Sequence, residues 1–451
     1  ALPICRFMET PHSSRGELDS EDGSKVRRRD NVLQKDIIVI GAGPAGFMAA
    51  GRGASQGASV TLLERNSRPG RKLLITGKGR CNFTNDTDVD GLVAGMPGNG
   101  KFLYSAFSRF DSYDLRGFFR ELGVESKTER GKRVFPASGI SMDVLRALVM
   151  YAKKSGARLK CNSTVKHVVA RDGKVQGVIV SAVNGQAQFL RCDAVIIATG
   201  GITYKATGST GDGFRMAKEL GHNIVPPRAS LIPLETSESW PRDVAGLTLR
   251  NVQATLMVDG CEVGSEFGEM LFTHFGVSGP IILSLSRAAA SAMIHASPKI
   301  ALEIDVKPAL SHEQLDARIL RDFQKHGGQT IYNSLVDLVP KHLIAIIVQE
   351  AGISPAKHVS QVIREERLLI GRTLKKLTFH VAGLRPTDEG IVTAGGVDVD
   401  EIDPSRMESR LVKGLFFAGE VIDIDGMTGG FNLQAAFSTG YIAGESAAEV
   451  R

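Results

Sequence analysis

Residues Asp36–Gly46 read DIIVIGAGPAG, and the apolar run Ser59–Leu63 that follows ends in Glu64. The stretch predicts a buried strand, a glycine turn, a helix and a second strand closed by an acid. Each part has a mechanical role in holding a dinucleotide. Gly41 permits the tight turn out of the strand, and Gly43 lets the backbone approach a pyrophosphate. Gly46 lets the helix pack on the strand. Pro44 and Ala45 open the helix, whose N-terminus offers unpaired N–H groups and a positive dipole end to phosphates. Glu64 stands where a carboxylate can accept hydrogen bonds from a ribose.

The rest of the composition bounds the class. The chain has 451 residues, with 42% hydrophobic and 23% charged residues. That is globular usage and enough for two or three domains. Five cysteines (Cys5, Cys81, Cys161, Cys192, Cys261) are scattered, without CxxC spacing. They argue against a disulfide framework or a zinc site and fit a reducing compartment, cytoplasmic or organellar. No apolar run is long enough for a membrane span. The net charge of +6 is mild, and part of it sits in KVRRR (Lys25–Arg29). That run reads as a solvated tail ahead of a nucleic-acid contact. Residues 1–34 are polar and aperiodic, as a disordered or processed tail is. Their acids (Glu9, Glu17, Asp19, Glu21, Asp22) do not suit a transit peptide, although a plastid or mitochondrial address stays open.

Beyond Glu64, RPGRKLLITGKGRCNFTN (Arg68–Asn85) has the composition of a loop that approaches something closely. Ser141 is the expected N-cap of a helix running to about Lys154, with Gly156 at its C′ position. Thr164–Ala170 and Val175–Val180 read as a hairpin turning at Asp172-Gly173. Ala194–Gly201 (AVIIATGG) reads as another buried strand ending in glycines. After about Gly221 the pattern becomes period two: Val252, Ala254, Leu256 and Val258; Ile300 to Val306; Leu377, Phe379 and Val381. Half-buried antiparallel strands follow from that alternation. Between the last two sets, Ser311 with Gln314 predicts a capping box, and Ser354-Pro355 predicts a cap before an N1 proline. The α/β character returns at Leu415–Ala418, which leads to Gly419-Glu420, then Gly429-Gly430 and an Ala-rich helix from about Asn432.

Two separated halves of one nucleotide fold suit FAD better than NAD, because FAD is long and its flavin needs a second anchor. Gly419-Glu420 would bring a backbone N–H and a carboxylate near the pyrophosphate and ribityl chain. Gly429-Gly430, at a helix start, would aim N–H groups at the pyrimidine edge of the flavin, where charge develops on reduction.

At this point the chain resembles a family. GRKLLITGKGRCNFTN, RVFPASG (Arg133–Gly139), ATGGITYKATGSTGDGF (Ala198–Phe214), LFTHFGVSGP (Leu271–Pro280), TAGGVDVDEIDPSRMES (Thr393–Ser409) and FAGEVIDIDGMTGGFNLQAAFSTG are similar to the motif string of the YhiN/BaiN-type FAD-dependent oxidoreductases, the aminoacetone-oxidase-like flavoproteins. The resemblance spans about residues 35 to 450. It implies a discontinuous Rossmann-like FAD-binding domain with an inserted β-barrel-like domain and a helical domain. The corresponding parts are 35–222, 223–306, 307–372, 373–388 and 389–451. It also implies a site made of Arg65, Lys72, Gly79, Arg80, Cys81 and Asn82, with Val165 meeting adenine through its backbone. Thr199, Gly200, Gly201, Gly419, Glu420, Gly429, Gly430, Phe431, Asn432 and Leu433 complete it. Lys78 departs from the pattern, standing where the family usually has a third glycine.

For catalysis, His274 could serve as acid, base or substrate donor, or merely bond its own loop. Tyr204 could face the substrate or fill the core. Cys81 lacks a neighbouring cysteine to resolve it and reads as packing rather than as a redox thiol. Gly208–Gly213 lacks a P-loop Lys-Ser/Thr pair and reads as a loop over the cofactor. The expected activity is hydride transfer through flavin N5 to oxygen or to an unsaturated or carbonyl small molecule, with NAD(P)H as a transient donor. The partner expected is a small molecule rather than nucleic acid, and no metal is expected. The competing readings are a flavoprotein that binds or modifies RNA, and a flavin-bound scaffold without turnover. Substrate and oligomeric state are not legible.

Overall fold

The computed structural model describes residues 34–181, 186–293 and 298–449. The KVRRR run lies outside them. A five-stranded parallel sheet has the strand order Leu415–Phe417, Ala194–Ile197, Asp36–Ile40, Ser59–Leu63, Arg158–Lys160. From Ile37 onward the first strand reads as an unbroken apolar run, as do Ala194–Ile197 and Leu415–Phe417, because both faces are covered. Helix α1 (Pro44–Ser55) crosses from the first strand to the second, and its last carbonyls are met by the turn at Gln56-Gly57.

The hairpin Thr164–Arg171/Lys174–Ser181 turns at Asp172 and Gly173, both at positive φ, and a third strand, Ala187–Arg191, joins it. The helix Ser141–Lys154 forms, with Gly156 at φ +98° beyond it. Ser141, however, is its first residue rather than its cap. Its Oγ donates to the carbonyl of Leu74 at 2.9 Å, so a tertiary partner has taken the hydroxyl.

The period-two segments close into a six-stranded antiparallel barrel in the order Leu234–Thr236, Gly276–Ser278, Cys261–Thr273, Thr248–Val258, Ile300–Asp305, Leu377–Leu384. The first and last strands pair and seal it. Val252, Ala254 and Leu256 point inward with Leu302, Ile304, Phe272 and Phe379, all nearly inaccessible to solvent. Helix α2 (Pro280–Ala292) lies along the strand Cys261–Thr273. Gly264 and Gly268 on that strand leave room for Leu285 and Ile281.

The helical insert carries His312–Lys325, Lys341–Glu350 and Arg364–Lys375. The capping box forms: Ser311 Oγ accepts from Gln314 N, and Gln314 Oε1 accepts from Ser311 N at 3.0 Å. The second cap does not form. Ser354-Pro355 sits in a turn whose backbone bonds to Tyr332 and whose neighbour Lys357 bonds to Ile331, and the next helix starts only at Arg364. Tertiary pairing has overridden the local signal. The chain leaves the parallel-sheet region through Ile224–Ser230 and returns through Val392–Val397, the two strands paired antiparallel.

Candidate functional site

Helix α1 and the last helix, α3 (Phe431–Ala448), pack almost backbone to backbone. A Cβ at Gly440 would lie 2.4 Å from the carbonyl of Ala45, and one at Gly444 would lie 2.3 Å from that of Ala49. The small residues of α3 therefore set two helix N-termini side by side at the carboxyl edge of the sheet. Both open onto one cavity of about 880 Å³. The start of α2, at Gly279-Pro280, reaches the same cavity from the barrel. None of the three helices has an acid in its first turn, so their positive ends are left for a ligand.

The fingerprint glycines divide their work. Gly41 has φ +101°, and a Cβ there would press on the carbonyl of Ala198 at 2.5 Å. A Cβ on Gly46 would collide with the carbonyl of Gly41 at 1.8 Å, so Gly46 serves helix–strand packing and is not on the cavity wall. Gly43 faces open space, as a backbone approached by a ligand must. Pro44 and Ala45 line the cavity beside it. Glu64 is buried. Its Oε2 accepts from Ala42 N at 2.9 Å, and its Oε1 accepts from Asn66 N and Nδ2 at 2.8 Å each. With about four acceptor positions on a carboxylate, one remains for a ribose hydroxyl. Arg65 and Val165 line the same end, and Arg65 is held by Asp212 at 2.6 Å.

In the middle of the cavity, Lys72 Nζ and Glu420 Oε2 pair at 2.8 Å. Glu420 Oε1 also accepts from Thr393 N at 2.7 Å, and Lys72 donates to Thr203 Oγ1. Gly419 and Glu420 line the cavity. The N–H of Gly419 is already taken by Thr439 Oγ1 at 2.9 Å, so Gly419 offers shape rather than a donor. Thr199 and Gly200 line the wall, while Thr199 Oγ1 turns behind it against Gly213, where a Cβ would lie 2.2 Å away. Gly201 lies behind the wall, where a Cβ would meet Thr393 Oγ1 at 2.0 Å.

At the far end Gly429, Gly430, Asn432 and Leu433 line the cavity. Gly430 has φ +104°, and a Cβ would strike the carbonyl of Thr84 at 2.3 Å. Asn432 clamps the preceding loop through Gly426 N and O at 2.9 Å each. Phe431 turns its ring toward Gly95 and Gly429 behind the wall. Arg80 and Asn82 line the cavity, with Arg80 stacked over Phe135 at 4.2 Å and paired with Glu129. Gly79 and Cys81 do not line it. Cys81, at φ +61°, turns its thiol into the core, where burial pushes its pKa up to about 12. A run of left-handed residues, Gly77, Lys78, Gly79 and then Cys81, interrupted only at Arg80, redirects the side chains of this turn in a way that spacing alone does not reveal. Lys78 itself sits at φ +58° on the cavity wall, strained and exposed.

Tyr204 lines the cavity, and burial raises its phenol pKa, with Glu389 adding to the effect. His274 does not reach the wall. It stands exposed on the turn after Cys261–Thr273, with its ring edge-on to Phe275. Arg385, by hydrogen bond and charge, holds the carboxyl of Glu389, which does line the cavity, below its ordinary range, and His274 adds a smaller charge effect. Barrel residues Thr248, Glu269, Met270, Leu271, Ser278 and Leu283 complete the wall. Of these, only Leu271 and Ser278 fell inside a motif singled out in the sequence. A Ser409–His222–Glu401 chain, with His222 at 2.8 Å from the serine and 3.0 Å from the acid, resembles a nucleophile triad. Ser409 Oγ accepts from Leu411 N and Val412 N, and His222 is buried, so the cluster ties a loop down.

A discontinuous Rossmann-like fold with a barrel insert and this cavity defines a flavin-dependent oxidoreductase. Residues 35–446 match the HI0933-like protein Rossmann domain. The chain belongs to the HI0933-like family of FAD-dependent oxidoreductases. It is 30% identical over 407 residues to a ribosomal RNA dihydrouridine synthase of Haemophilus influenzae, covering 90% of this chain and 96% of that one. A namesake in Escherichia coli is 30% identical over 408 residues, with the same coverage. The 3-dehydro-bile acid delta(4,6)-reductase of Clostridium scindens is 30% identical over 419 residues, covering 92% and 99%. Among solved structures, the 3-ketosteroid-Δ4-(5α)-dehydrogenase of Rhodococcus jostii RHA1 superposes with TM-score 0.51 at 17% identity, over 95% of this chain and 99% of that one. That likeness concerns the fold alone. No helix among the described residues is long and apolar enough to cross a membrane.

Proposed function

We propose that the chain reduces a carbon–carbon double bond conjugated to a carbonyl, with NAD(P)H as the transient reductant. The observation that carries this reading is one cavity shared by three helix N-termini, Tyr204 and an apolar barrel wall. The residues fit FAD: Gly43 leaves open space, Glu64 keeps one acceptor position open, and the volume is at the upper end for a small-molecule site. Bound FAD supplies a hydride acceptor and donor. Val165, Glu64 and Arg65 would hold its adenosine, and the start of α1 its pyrophosphate. Lys72, Glu420 and Thr199 would hold its linker, and Arg80, Asn82 and Gly429–Leu433 its ring system.

The remaining wall is assigned to the acceptor. Leu271 and Leu283 exclude water from a flat, electron-poor ring. A hydride adds to the carbon β to the carbonyl while Tyr204 delivers a proton to the α carbon. NAD(P)H leaves as NAD(P)⁺, and solvent restores the phenol. Burial keeps Tyr204 protonated through neutral pH, as a donor must be. His274 is a positioning residue, acting through Glu389 at the rim.

Among such acceptors, a uracil ring in RNA is favoured over the small molecule expected from the sequence. Two of the relatives aligned over nearly their whole length are named for making dihydrouridine, which is uracil saturated at its conjugated double bond. The reductase named for a bile acid saturates the same kind of bond in a small molecule. NADPH oxidation should be followed with three acceptors: uridine-containing RNA, a cyclic enone and oxygen. Turnover with either of the first two above the oxygen background supports the reductase reading. Turnover with oxygen alone overturns it.

A further inference from the structure

Resting on the RNA reading, we infer that the cavity lip where residues 126–136 meet the barrel docks single-stranded RNA, with a base flanking the reacting one stacked at Phe267.

Three cations, Lys78, Arg80 and Arg133, already line the cavity. From Arg133 a chain of contacts leads to the barrel. Arg133 Nε donates to the carbonyl of Arg130 at 3.0 Å. The Arg130 guanidinium then crosses to the barrel, donating to Asn251 Oδ1 and lying 5.4 Å from the centroid of the Phe267 ring. Phe267 is 51% exposed, on a strand whose neighbouring positions are Glu266 and Gly268. Arg250 and Lys132 are exposed nearby in sequence on the same two elements. Of the acids there, Glu129 pairs with Arg80, Glu269 lies 3.8 Å from Arg250, and burial raises the carboxyl of Glu266, next to Phe267.

An ordinary interdomain latch would bury its aromatic ring, since about half the transfer free energy is lost when half the ring stays wet. A ring left open beside a guanidinium, on a lip with surplus positive charge, matches how non-sequence-specific single-strand sites are built. There the cations track the backbone and an aromatic face takes a base. The arrangement also suits an enzyme that must draw one base out of its stack into a cavity, because the neighbouring base needs a substitute stacking partner.

The test uses the full chain loaded with FAD and a short fluorescently labelled oligouridylate, followed by anisotropy as salt is raised. The wild-type protein should bind at low salt and weaken steeply. Phe267→Ala should weaken binding roughly 5- to 100-fold, the range for loss of one stacked base. Arg130→Gln should lower the slope of log affinity against log salt by about 0.7, one contact on a single strand. Phe189→Ala, an equally exposed phenylalanine on the Ala187–Arg191 strand, should bind as wild type. Phe267→Ala and Arg130→Gln variants that bind like wild type, with only a lowered melting temperature, would show a plain latch and overturn the proposal. A wild-type protein that binds no oligonucleotide at low salt would overturn both this proposal and the RNA reading. The enone arm of the acceptor assay judges the reductase reading separately.

Discussion

The cavity has two walls of different kinds. The nucleotide wall is backbone: α1 and α3 touch through Ala45 and Gly440, Ala49 and Gly444, and the turns at Gly41 and Gly430 leave no room for a Cβ. The barrel wall is side chain: Leu271, Leu283 and Ser278 present ordinary groups that another residue could replace. The contrast teaches where specificity can vary. Cofactor geometry is fixed by close contacts that a single methyl group breaks, whereas acceptor choice rests on a surface that can be redrawn without disturbing the sheet.

The comparison can be broken most sharply at Gly46. Gly46→Val should yield protein without flavin colour and destabilised by about 3 kcal/mol or more, because the branched side chain enters a space occupied by the carbonyl of Gly41. A yellow, normally melting variant would mean that the packing argument for the nucleotide wall is wrong.

Next in size is Tyr204→Phe, which should keep the visible spectrum and lower turnover about 10²-fold, the lower end for loss of a positioned acid. The sign of its pH dependence follows from the raised phenol. The protonated form is the donor, so activity should stay level through neutral pH and fall only above the ordinary tyrosine range near ~10. A decline at neutral pH that vanishes in the variant would point to a different acid.

Leu271→Ala sharpens the other side of the comparison. It should raise KM for the acceptor several-fold, the effect of about 1 kcal/mol of lost apolar contact, with FAD affinity unchanged. Loss of flavin in this variant would blur the distinction between the walls. The smallest effect is expected at Lys78→Gly. Relieving a side chain held at φ +58° should stabilise the protein by about 1 kcal/mol, seen as a small rise in melting temperature. A fall instead would mean that the lysine's contacts outweigh its strain.

The same contrast explains what was legible in the sequence. The fingerprint, the Asp172-Gly173 turn, the period-two strands of the barrel and the Ser311 cap are local signals with a single physical solution, and each could be read from a few residues. The cavity wall contributed by Thr248, Glu269, Met270 and Leu283 carries no local signal, because barrel closure and the packing of α2 bring it together from separate elements. Cys81 was misplaced because a run of left-handed residues reverses side-chain directions that no pattern displays. Ser141 and Ser354 carried cap signals that tertiary partners redirected. Glu389, which faces the cavity, had no signal at all.

A single turnover without oxygen shows whether the reduced protein passes its hydride to a conjugated double bond. The FAD-loaded protein is reduced with one equivalent of NADPH until the flavin band bleaches, and then mixed with uridine-containing RNA or a cyclic enone. The account predicts that the band returns within one catalytic cycle and that the acceptor gains one hydrogen on each carbon of its double bond. A band that stays bleached with both acceptors and returns only when air is admitted would contradict it.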